Sequence, residues 1–181
     1  MSLNRKLFSK SASDAVCNSE SLEPFGNEAS FNKNVAIYQF EDNANDSSGN
    51  GKNGSVSGAT YDSSGKFGKA ASFDGTNDTI TVSDPVIPVG ATSISYWYKN
   101  NNVSGSITDT HYLIGCGVTS SDKGVTVYYY QQKFGVLIVN GASTSYLVTT
   151  NTFSKTDWHH VVVTWDGSTS SNTLKIYVNG S

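Results

Sequence analysis

The chain has 181 residues, enough for one domain and a short appendage. Its net charge is −3, and Arg5 is the one arginine among 12 Lys and Arg residues. With the lysines scattered, the chain lacks the clustered cations a nucleic-acid partner requires. The 17 glycines, three prolines and only 15% charged residues disfavour long helices and suit short strands joined by tight turns.

Residues 1–30 show no sustained period of 2 or 3.6 and read as an N-terminal arm or linker. The segment MSLNRKLFSKSASDAV is basic but lacks the apolar centre of a signal peptide, and no stretch is long and apolar enough for membrane insertion. Residues 31–181 form the predicted domain. Val35–Phe40 is a short apolar run, predicted as the first strand. Turn-forming residues follow from Glu41 to Gly51. Lys69–Phe73 and Thr79–Ser83 flank Asp74-Gly75, a hairpin signal.

Ser93–Lys99 alternates, with Ile94, Tyr96 and Tyr98 on one face and Trp97 on the other. Tyr112–Ile114, Val125–Tyr130 and Phe134–Val139 continue the series. His159–Trp165 places His159, Val161, Val163 and Trp165 on one face. Leu174–Val178 alternates likewise, and Asn179-Gly180 spells a type I′ turn, because both central residues need positive φ. No returning strand follows, so the sandwich is expected to be missing its closing strands and to leave a sheet edge open for association. Short strands separated by Gly, Asn and Asp turns, without interleaved helices, predict an all-β antiparallel sandwich or barrel.

Three ordered segments carry a family resemblance. They are Val35–Gly54, Gly65–Asp78, and Trp158–Gly167 followed by Leu174–Gly180. Together they resemble laminin-G-like, concanavalin A-like lectin/glucanase jelly-roll domains. The resemblance implies a two-sheet jelly-roll sandwich, carbohydrate or protein recognition and, in many members, a structural calcium ion. It also implies several further strands that would close the domain. The first ten residues resemble short starts of phage structural proteins.

Glucanases need carboxylates that alternate along one strand and face one groove. Glu41, Asp42 and Asp46 sit instead in a turn-rich loop, and every later acidic residue is Asp, so no catalytic residue is assigned. His159 and His160 point to opposite faces and cannot chelate one metal together. One is expected to be buried and hydrogen-bonded. Cys17 and Cys116 could pair, though nothing demands it, and neither has the neighbours of a zinc site; Cys116, in an apolar stretch, is expected to be a buried free thiol.

For calcium, Asp46, Asp74 and Asp78 offer oxygens on loops, although the same side chains could cap turns. For ligand binding, Tyr128, Tyr130 and Tyr146 could stack on sugar rings, and Asn101 lies in a polar loop suited to hydroxyl recognition. Each could equally be ordinary strand or turn surface. These readings favour a non-catalytic recognition module, carbohydrate-binding or adhesive, within a larger surface protein. Its partners would be a glycan or a surface protein, and its arm or open sheet edge could support a homo-oligomer. The alternative is a phage tail-fibre or capsid-surface protein displaying the sandwich. A glycoside hydrolase ranks third for want of carboxylates. Either leading reading implies an extracellular or virion-surface location.

Overall fold

The computed structural model describes residues 35–83, 86–87, 91–101, 110–116, 124–140, 143–168 and 173–181. The predicted arm therefore lies outside the described residues. Eleven strands and no helix occur among those described: β1 (Gly54–Ser57), β2 (Thr60–Asp62), β3 (Ala70–Ser72), β4 (Thr79–Val82), β5 (Thr92–Tyr98), β6 (Thr110–Cys116), β7 (Gly124–Tyr130), β8 (Lys133–Asn140), β9 (Ser143–Val148), β10 (His159–Trp165) and β11 (Lys175–Val178). All pair antiparallel, and the all-β antiparallel class expected from the sequence is the one observed.

Two sheets form the sandwich. One runs β11-β10-β5 and the other β6-β7-β8-β9. Alternation dictates which side chains meet between them. Ile94, Tyr96, Val161, Val163 and Val178 face Ile114, Val127, Tyr129, Phe134 and Val136 in one continuous core. An aromatic group ties the layers together. The Phe134 ring lies 5.8 Å from Tyr98, 5.1 Å from Tyr129, 5.5 Å from Phe153 and 5.9 Å from His159. His159 is buried, and its Nε2 lies 2.8 Å from the Ser154 carbonyl oxygen. His160 points the other way and stacks on Trp97 at 5.0 Å. The opposed roles expected of the two histidines are those observed.

A second apolar cluster, Tyr38, Phe40, Ala44 and Ile80, sits beneath the short pairs β1-β4 and β2-β3. Here the structure corrects two expectations. Val35–Phe40 is not a strand, because Phe40 and Asp42 adopt φ of 62° and 60°, which ends the extended run. Only the single bridge Tyr38–Asp46 remains of it. The segments flanking Asp74-Gly75 do not pair as a hairpin either. Instead β1 and β2, with Gly58 at φ 79° between them, run antiparallel to β4 and β3 in turn, so β4 pairs with β1 and β3 with β2.

The Asn179-Gly180 turn forms as read, with φ of 54° and 89° and reciprocal backbone bonds between Val178 and Ser181. A second tight turn, Gln131-Gln132, joins β7 to β8 with φ of 48° and 62°. Cys116 is disulfide-bonded, which overturns the expected free thiol. It ends an end strand of its sheet, partly buried against the core. The chain's other cysteine, Cys17, lies outside the described residues.

Candidate functional site

Two surfaces merit a functional reading, and they share β6. The first is the outer face of the β6-β7-β8-β9 sheet. Residues of β7 alternate, so Val125, Val127 and Tyr129 fill the core while Thr126, Tyr128 and Tyr130 face outward. Pairing then sets their neighbours: Tyr128 lies opposite Tyr112 on β6 and opposite Gly135 on β8. Tyr146 on β9 lies opposite Leu137, one outward position further along. Tyr112 and Tyr146 are 70% and 75% exposed, far beyond what large aromatic side chains in a folded sheet need to be.

Gly135 is what lets these rings form a surface. A Cβ built there would meet Cζ of Tyr128 at 2.2 Å and its Oη at 2.6 Å. The Tyr128 ring therefore lies over the bare backbone of β8 and shows its other face to solvent. Burial first, and then the neighbouring phenols of Tyr112 and Tyr146, push the Tyr128 phenol up. The Tyr128 hydroxyl therefore stays neutral at physiological pH, a donor and acceptor beside an apolar ring. Tyr130 also faces outward, opposite Lys133 and Thr110 at the corner beyond this group. The sequence reading named Tyr128, Tyr130 and Tyr146 but missed Tyr112 and Gly135. Only the strand register reveals both.

The second surface is a cleft of about 510 Å3 between the sandwich and the β1–β4 region. Its apolar floor includes Phe40, Ile80, Tyr96 and Ile114, and its rim includes Asp74, Asp78 and Asn101. The strands β3, β4, β5 and β6 that border it are all end strands of their sheets. Tyr96 is 3% exposed, and its hydroxyl has no hydrogen-bond partner among the described residues. Burial, with a smaller contribution from Tyr98, raises this phenol well above its usual range. An unsatisfied buried hydroxyl costs about 1–3 kcal/mol. Tyr96→Phe is accordingly expected to melt at or above the temperature of the parent chain in a thermal scan. A lower midpoint would mean that the hydroxyl has a partner outside the described residues.

The three aspartates do not converge. Among the described residues, no group of three His, Cys, Asp or Glu side chains is placed to hold a metal. Asp74 and Asp78 share one turn: Asp78 Oδ2 accepts the Asp74 amide and Asp74 Oδ1 accepts the Thr76 amide. Asp46 lies elsewhere, and its carboxylate is committed to its own loop. It accepts the amides of Ile37, Ser48 and Lys52 and the Ser48 hydroxyl at 2.8–3.1 Å. Its burial works to raise the carboxyl, but these four bonds outweigh it and hold Asp46 below its usual range. This geometry suits pins for separate turns better than one shared calcium cage.

Residues 74–181 match the laminin-G family described as the concanavalin A-like lectin/glucanases superfamily. The match begins at Asp74, so the motif at 35–54 and most of that at 65–78 precede it. No curated protein and no solved structure matches the chain.

Proposed function

Since the chain belongs to the concanavalin A-like lectin/glucanase superfamily, we propose that it is a non-catalytic carbohydrate-recognition module that binds on the tyrosine face of the β6–β9 sheet. The observation that carries this reading is the row of outward tyrosines, Tyr112, Tyr128 and Tyr146, cleared by Gly135. Sugar rings present apolar C–H faces bordered by hydroxyls. Exposed phenols answer both features, with an apolar ring and a polar tip.

Of the three acids lining the cleft, Asp74 and Asp78 sit on one turn and hold its backbone, and Asp62 accepts the Ser64 amide and hydroxyl. An extracellular setting is supported by the disulfide at Cys116, since such bonds persist in oxidising compartments.

Affinity electrophoresis through gels containing polysaccharide tests the reading. Tyr128→Ala is expected to weaken retardation about tenfold, the effect of losing one well-stacked ring. Tyr146→Ala should act in the same direction. Because Tyr146 is three-quarters exposed, that variant should leave the melting temperature unchanged. Undiminished retardation in both variants would move the binding site away from this face.

A further inference from the structure

The tyrosine face also constrains which carbohydrate it can take. Building on the glycan-binding role proposed above, we infer that the face takes an internal stretch of an uncharged polysaccharide chain, laid across the strands from β6 to β9.

Charge is the first argument. The outward positions of β6, β7, β8 and β9 carry phenols, hydroxyls, aliphatic groups and glycines. Their single charged side chain is Lys133, at the corner beside the Gln131-Gln132 turn. An acidic glycan would carry a carboxylate or sulfate on most units, and such groups need cations or bidentate donors to offset their desolvation. This face supplies one lysine, and away from its centre.

Shape is the second. Tyr112 lies on β6 and Tyr146 on β9, the two end strands of the sheet, with Tyr128 between them. Three inter-strand steps span roughly 14 Å, longer than a single sugar ring. Among the described residues, the outermost rings of this sheet face stand 70% and 75% exposed. A site for a chain end must enclose that end, whereas an open track accepts a chain that continues past both edges. The row runs slightly oblique to the strands, because Tyr146 is offset by one outward position from the Tyr112–Tyr128–Gly135 line.

The test uses the full 181-residue chain. Gels would contain mixed-linkage β-glucan, xyloglucan or galactomannan as neutral chains, and polygalacturonate or alginate as acidic ones. Retardation is expected on at least one neutral chain, relieved by its oligosaccharides and unaffected by its monosaccharide at the same mass concentration. Tyr112→Ala and Gly135→Ala are each expected to weaken it about tenfold. In Gly135→Ala the new Cβ displaces only the far end of a side chain, so the melting temperature should change little while the Tyr128 ring is lifted. If Gly135→Ala does not fold, the exposed Tyr112→Ala and Tyr146→Ala carry the test alone. Binding to acidic chains only, or equal competition by monosaccharide, overturns this inference but leaves the broader glycan reading standing. Neutral-chain binding that both tyrosine variants leave undiminished also overturns it. No retardation on any of the five polysaccharides overturns both.

Discussion

Phe134→Ala is expected to destabilise the sandwich by about 3–5 kcal/mol, the range for emptying a large aromatic site in a packed core. Phe134 is 0% exposed and touches both layers. Its own sheet contributes Tyr129, and the facing sheet contributes Tyr98 from β5 and His159 from β10. Removing the ring leaves a cavity that none of these neighbours can fill, because His159 is tethered to the Ser154 carbonyl and Tyr129 donates its hydroxyl to the Phe153 carbonyl. Urea unfolding measures the loss directly. Phe134→Leu, closer in volume, should cost about 1–1.5 kcal/mol. A loss below about 1 kcal/mol for the alanine variant would show that the two sheets are held together elsewhere.

Asp46→Ala is expected to cost about 2 kcal/mol, although the site is only partly buried and solvent moderates the loss. The variant leaves the Ile37, Ser48 and Lys52 amides without their acceptor. The Tyr38–Asp46 bridge and the Tyr38 hydroxyl bond to the Lys52 carbonyl depend on the same loop, so the second apolar cluster loosens with it. The acid response follows. Asp46 is lowered in the folded protein relative to its ordinary 3.8, so its contribution is complete well above that value. It is lost as the pH falls through the lower, folded value. Melting temperatures measured from pH 7 down to pH 3 should fall less steeply at the acid end for Asp46→Asn than for the parent chain. Asp166, also held low by its bonds from Ser168, supplies slope in both proteins. Parallel curves would remove Asp46 from the acid response.

How much of this was legible beforehand depends on whether the signal was local. The alternation in His159–Trp165 and in Leu174–Val178 is local, and both strands formed with the faces it assigned. Asn179-Gly180 is local too. Phe40 at positive φ is not. Nothing in a bulky aromatic residue announces a left-handed backbone, which here is stabilised by burial of the ring beside Tyr38. The Gln131-Gln132 turn escaped for a related reason: the strands on either side force positive φ on residues that do not prefer it.

The candidate site was half legible. Consecutive Tyr128, Tyr129 and Tyr130 guarantee that a phenol faces outward, but not what lies beside it. Tyr112 joins the row only through a register that shifts between Tyr112 and Ile114. Gly135 matters only because Tyr128 is its cross-strand neighbour. The Asp74 and Asp78 segments were paired wrongly for the same reason, since β1 and β2 are too short and too polar to stand out by pattern.

The two separate apolar clusters have a dynamic consequence. Residues 35–82 rest on Tyr38, Phe40, Ala44 and Ile80, and the strands from β5 onward rest on a core several times larger. Two such bodies need not open together. In native-state hydrogen exchange, amides of β7, β8 and β10 should exchange only through global unfolding. Those of β1 to β4 should exchange through a smaller opening with a lower denaturant dependence. The cleft would then be the seam along which the molecule first parts, with its upper wall transient while the tyrosine face stays rigid.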